Sequence, residues 1–238
     1  MPSGRPASSA TSGKSTLIRL MCGLLRINAG ELLFDGKSVA EWQRAEPRSF
    51  LARNQIIFQN PRRSLDPRMT VGHSVSQPIR ALERRIPDRS ELARGLERVG
   101  LSDDVLDRYP HQLSGGQLQR AAIARSLSVK PAVLYADEPT SAPDVSVQAQ
   151  VLNLLMDLRD ELNLALVMVT HNLAVVARLA ESIIVLKDGE VVEAGRTVDV
   201  LAKPAHDYTH SLIGAAAEVS LRDGGQSMMT VTPGDAAG

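Results

Sequence analysis

An α/β fold, with a parallel sheet covered by helices on both faces and a helical insert, is predicted by three features of this 238-residue chain. Apolar runs of strand length at residues 55–58, 132–136, 164–169 and 183–186 are separated by longer amphipathic stretches, the spacing that parallel strands with helical crossovers require. Between about residues 61 and 130 the strand runs stop and helical periodicity takes over, which marks an insert. The run Ala132-Val133-Leu134-Tyr135-Ala136 ends in paired carboxylates, Asp137 and Glu138, and Leu113-Ser114-Gly115-Gly116-Gln117 opens a helix in the manner of an anion-binding turn.

Each element follows in order. A helix over 15–25 leaves the Gly13-Lys14 turn, and segments 31–34 and 37–39 form a hairpin across Asp35-Gly36. The strand at 55–58 precedes helices over 71–82, 90–99 and 116–129. Helices over 145–162 and 173–179 separate the last three strands. A short tail runs from Lys203 to Ala217, and residues 221–238, rich in Gly, Ser, Asp and Thr without a period, are expected to be disordered.

Lys plus Arg and Asp plus Glu number 27 each, so the net charge is zero and no broad basic field exists to collect nucleic acid. The one cysteine, Cys22, excludes an internal disulfide and a cysteine-only metal centre, and its apolar neighbours mark it as a packed, inert thiol. No apolar stretch approaches the ~20 residues that cross a bilayer, and Met1 to Ser12 lacks the apolar core of a secretory signal. Any membrane role is therefore expected to run through a partner.

The chemistry begins at Gly13-Lys14-Ser15-Thr16. In a phosphate-binding loop, backbone N–H groups and a helix N-terminus hold phosphate, the Lys reaches the β and γ groups, and the Ser hydroxyl ligates Mg²⁺. A strand ending in Asp137 and Glu138 supplies the other half, one carboxylate for the metal and one for the attacking water. The plainer alternatives are a capped helix with an exposed Lys and a solvated strand end. The two motifs together point to ATP and Mg²⁺.

With these residues in place, the chain from Gly13 to about Ala217 resembles the ATPase subunit of ATP-binding cassette transporters, a P-loop NTPase with a RecA-like core. The resemblance implies that Gly13, Lys14, Ser15 and Thr16 bind phosphate and that Ser15, Gln59 and Asp137 serve the metal. It makes Glu138 the general base, with Gln59 sensing the attacking water and His171, in Val169-Thr170-His171-Asn172, touching the γ-phosphate. Ser114, Gly115, Gly116 and Gln117 match the family's signature motif, which binds ATP held by the opposite subunit of a head-to-tail dimer. Asp144 matches the loop that crosses that dimer, and also fits as a helix N-cap.

The same resemblance implies an ATPase core at 1–60 and 129–203, a helical subdomain at 61–128, and a C-terminal tail at 204–238. Segment 58–71 is similar to that of oligopeptide and dipeptide uptake systems, as are Val145-Ser146-Val147-Gln148-Ala149-Gln150 and Pro204-Ala205-His206-Asp207-Tyr208-Thr209, where Asp207 replaces a usual Pro. The implied partners are membrane permease subunits, a second ATPase subunit, the same or a paralogue, and indirectly a substrate-binding protein, with the chain peripheral on the cytoplasmic face of the cell membrane. A catalytically impaired partner subunit, a nonfunctional truncated product and a DNA-maintenance cassette are the alternatives.

The chain departs from the family at its start. Ser8 and Thr11 stand where glycines are usual, and MPSGRPASSATS, polar with two prolines, does not read as the central strand that carries such a loop. The expectation is an altered N-terminus, with Pro143 in place of a usual Leu as a smaller departure.

Overall fold

The computed structural model describes residues 13–61, 64–139 and 145–222. The expectations for residues 1–12, Pro143, Asp144 and 223–238 lie outside these residues. The chain falls into two units, Met1–His171 and Asn172–Gly238.

In the first unit, helix α1 (Lys14–Met21) leads to a hairpin of β1 (Leu33–Phe34) and β2 (Lys37–Ser38). α1 stops short of the expected residue 25: Cys22 caps it and Gly23, at φ 69, turns the chain away, leaving Leu24 and Leu25 exposed. The hairpin turn at Asp35 (φ 54) and Gly36 (φ 72) is the one expected from Asp-Gly.

Two helices unforeseen in the sequence follow, α2 (Val39–Ala45) and α3 (Pro47–Arg53). Ser38 and Glu41 close a capping box at the start of α2, so Val39 opens a helix rather than ending a strand. Trp42, Phe50 and Phe34 cluster between these elements, with the Phe34 and Phe50 rings edge to face at 5.6 Å.

Strand β3 (Asn54–Ile57) pairs in parallel with β4 (Val133–Asp137), and β4 with β5 (Ala165–Val169), giving the order β3-β4-β5. Between β3 and β4 lie α4 (Val71–Pro78), α5 (Arg89–Arg98) and α6 (Gly115–Leu127), and no strand occurs among the described residues of that stretch. α4 runs on into a π-helical turn over Ile79–Glu83, where Pro78 lacks the N–H that a regular ladder needs. The largest apolar cluster joins Val71, Val75, Leu96, Leu106, Leu118 and Ile123 to Ile57 and Leu134 of the sheet and to Leu155 and Leu158 of α7 (Val145–Leu162). The helical stretch and the sheet thus share one core.

The second unit begins with α8 (Leu173–Leu179), whose first turn is capped by the Asn172 carboxamide. An antiparallel hairpin follows, β6 (Ser182–Lys187) with β7 (Glu190–Arg196), then α9 (Thr197–Ala202) and α10 (Asp207–Arg222). Glu193 of β7 accepts the backbone N–H groups of Ala205 (2.8 Å) and His206 (3.2 Å), and these bonds hold its carboxyl below the usual range. α10 carries helix through Leu221 and Arg222, two residues into the segment expected to be disordered.

Candidate active site

The site forms where the parallel strands end. Gly13 adopts φ 73, a left-handed conformation that glycine takes without a Cβ penalty, and α1 starts on it. The first turn carries Lys14, Ser15 and Thr16, while the other end packs Ile18 and Cys22 against Tyr135 of β4. Burial pushes the Cys22 thiol up to about 12, the behaviour of an inert core group. That packing fixes α1 against β4, so the Ser15 hydroxyl donates to Asp137 Oδ1 at 3.1 Å.

Asp137 is the last residue of β4 and is 7% exposed. A buried carboxylate beside a hydroxyl is a hard-oxygen pair, the donor set Mg²⁺ accepts when phosphates and water complete its octahedron. Among the described residues no group of three or more His, Cys, Asp or Glu side chains is placed to hold a metal ion.

Glu138 follows at φ 46, unusual for a residue with a Cβ and more so before proline. Two tertiary bonds flank it: its own N–H donates to the Val169 carbonyl at 3.0 Å, and the buried Gln119 amide donates to the Pro139 carbonyl at 3.1 Å. The Glu138 side chain is bracketed. Gln59, two residues beyond β3, donates Nε2 to Oε2 at 2.8 Å, and His171, two beyond β5, sets Nδ1 3.3 Å from Oε1. Its exposure is 27% against 78% for His171, so the carboxylate is held while the imidazole faces the open side.

The structure therefore joins Ser15 to Asp137, and Gln59 and His171 to Glu138. Ser114, Gly115, Gly116 and Gln117 are not part of that cluster: Ser114 caps α6 and closes a capping box with Gln117, with bonds of 3.1 and 3.2 Å. Ser114 and Gly115 are exposed, and the first N–H groups of α6 have no partner within the helix, so this end can meet an anion from outside. Gln119 is the site residue that sequence reasoning missed. Its signal was its place in the signature helix, one turn beyond Gly115.

A parallel sheet with a glycine-started helix, a buried carboxylate and a bracketed glutamate at its strand ends defines a P-loop NTPase. The "ABC transporter" family model matches residues 9–141. The chain belongs to the ABC transporter family. It is 45% identical over 208 residues to the "Probable peptide ABC transporter ATP-binding protein y4tS" of Sinorhizobium fredii, covering 86% of this chain and 58% of that protein. It is 42% identical over 214 residues to the dipeptide transport ATP-binding protein DppF of Haemophilus influenzae, covering 87% and 64%. The chain thus spans less than two thirds of the length of these relatives. A dimeric structure of the ATP-binding cassette MJ0796 in a post-hydrolysis state, bound to ADP and Pi, superposes with a TM-score of 0.69 at 31% identity, over 79% of this chain and 82% of that one.

Proposed function

We propose that this chain is the ATP-binding and ATP-hydrolysing subunit of an importer of peptides, working as one half of a head-to-tail ATPase pair on membrane permease subunits. The observation that carries the reading is the bracketing of Glu138 by Gln59 and His171 beside the Ser15–Asp137 pair. Bound Mg-ATP supplies a polarised γ-phosphoryl group and a divalent cation to neutralise its charge. Lys14 and the first N–H groups of α1 bind and orient the phosphates, and Ser15 and Asp137 hold the cation. Gln59 places the attacking water, and Glu138 takes its proton at a carboxylate oxygen. His171, on the open side, bonds the transferring phosphoryl group.

The exposed start of α6 fits the second half of such a site, offered to a neighbouring subunit, and the dimeric MJ0796 cassette supports a pair. The names of y4tS and DppF support peptides as the cargo. No helix among the described residues is long and apolar enough to cross a membrane, consistent with a peripheral seat on a permease.

The test is Glu138→Gln. Mg-ATP raises the unfolding midpoint of the variant as it does for the parent, by the mass-action stabilisation of about 2.7 kcal/mol at a hundredfold excess over Kd. Turnover falls by about 100-fold or more. Undiminished hydrolysis removes Glu138 as the base.

A further inference from the structure

We infer that a cavity among α4, α5 and α6 binds a small carboxylate carried on a compact apolar body. The cavity, about 210 Å³, lies within the first unit, against Val75 and Ile79 of α4, Leu92 and Gly95 of α5, and Ala124 and Leu127 of α6. Ala124 and Leu127 stand ten and thirteen residues along from Ser114, about 15–20 Å at the rise of a helix, so the cavity is a separate place from the candidate active site.

Gly95 is its distinctive feature. It is the seventh of ten residues in α5, an interior position where glycine weakens a helix relative to alanine. Its φ is not positive, so the backbone does not demand glycine, and a Cβ at this position meets no atom within 4 Å, so no close neighbour demands it either. The missing side chain contributes nothing to the packing of α5, and it leaves room inside the cavity.

The rest of the lining divides into two kinds. Val75, Ile79 and Ala124 are buried and Leu92 and Leu127 half-buried, whereas Arg94, Arg98 and Lys130 are exposed. Glu91, the acid in the lining, is taken by both terminal nitrogens of Arg85, each at 2.6 Å. Arg94 Nη1 donates to the neutral Ser90 hydroxyl at 3.1 Å, Arg98 meets Glu161 in an exposed pair at 3.2 Å, and the Lys130 ammonium has no partner among the described residues. Exposed contacts of that kind are weak and yield readily to a better acceptor.

Three cations beside a small apolar chamber select a ligand with both characters. A carboxylate accepts two parallel N–H bonds from a guanidinium and another from an ammonium. A bare anion such as phosphate leaves the apolar wall wet, and an uncharged apolar body leaves the cations to water. Size narrows the class: 210 Å³ is below the roughly 300 Å³ at which pockets for drug-sized molecules begin, which excludes a nucleotide and fits a branched or aromatic acid the size of one amino acid. A free acid and the last residue of a short peptide both present this chemistry.

The experiment titrates the full chain by calorimetry with 4-methylpentanoate, 4-methylpentanamide, acetate and the tripeptide alanyl-alanyl-leucine. The acid binds saturably, and the uncharged amide and the bodiless acetate each bind at least about tenfold more weakly. Gly95→Leu puts a side chain into the cavity, so it weakens the acid at least about tenfold, while its unfolding midpoint stays at or above that of the parent. Lys130→Gln weakens the acid about two- to fivefold, the range of an exposed charge pair. Tripeptide binding at least about tenfold tighter than the acid supports the proposal with a peptide end as the source, and weaker binding supports it with a free acid. No saturable binding of acid or tripeptide, an amide that binds as well as the acid, or binding indifferent to Gly95→Leu or to Lys130→Gln overturns the proposal. So does a Gly95→Leu chain that no longer unfolds cooperatively, since the space then serves packing.

Discussion

Replacing Gln119 by Leu tests whether the signature helix holds the candidate base in place. Gln119 is 6% exposed and its Nε2 donates to the Pro139 carbonyl at 3.1 Å. Leucine fills similar space but donates nothing, so a buried carbonyl is left without a partner, at about 1–3 kcal/mol. At 1.4 kcal/mol per factor of ten, the folding equilibrium constant falls by roughly 5- to 150-fold. Urea unfolding measures this as a lower midpoint at unchanged slope, the sign of lost stability rather than an altered denatured state. The change also reaches Glu138, which sits at φ 46, a conformation worth on the order of 1 kcal/mol in strain for a residue with a Cβ. With Pro139 released, that strain relaxes and the carboxylate leaves Gln59 and His171. Turnover then falls more than KM for ATP rises, since Lys14, Ser15 and Asp137 are untouched. A variant within about 0.5 kcal/mol of the parent, with unchanged turnover, refutes the reasoning.

Three further outcomes are expected. Phe50→Ala, at a fully buried ring facing Phe34, lowers unfolding free energy by about 3–5 kcal/mol in the same urea assay and leaves no cooperative transition if the chain is marginal. Burial pushes Cys22 and Tyr135 both up to about 12; for groups raised on folding, the stabilisation is complete below the unfolded pKa, so stability is level to about pH 8 and declines from there towards pH 12. Cys22→Ala flattens the first part of that decline in a pH series of unfolding midpoints. Asn172→Ala, which removes the acceptor of the Ala174 and Val175 N–H groups, lowers the protection of α8 in hydrogen exchange by about 0.5–2 kcal/mol.

The sequence carried the elements whose signals are local. α7 and α8 begin and end where their periodicity does, and Asp35-Gly36 announced its hairpin. The same kind of signal went unread at two places. Ser38-Val39-Ala40-Glu41 has the capping-box spacing that starts α2, and Asp188-Gly189, at φ 52 and 87, turns β6 into β7. β7 itself alternates poorly because Glu190, Gly195 and Arg196 interrupt it; the turn and its partner strand hold it in place. In the site, residue types were legible but their neighbours were not. Glu138 meets Gln59 across 79 positions and His171 across 33, separations no periodicity encodes. Gln119 escaped notice because polar residues on a helix read as its wet face, whereas α6 is buried at Leu118, Ala121, Ala122, Ile123 and Ala124 and has almost none.

The parallel sheet also acts as a ruler. Ile57, Ala136 and Met168 lie side by side across β3, β4 and β5, and Gln59, Glu138 and His171 follow these aligned residues by two, two and three positions. One residue of slippage moves a strand end by about 3.3 Å, the whole of the distance between His171 and Glu138, and turns every side chain of that strand to the opposite face. Insertions within the long crossover between β4 and β5 are thus absorbed, whereas a single residue gained or lost inside a strand yields a protein that still compacts and no longer aligns the side chains of the candidate site. Alignment, rather than survival of the fold, is the sterner condition on changes in this sheet.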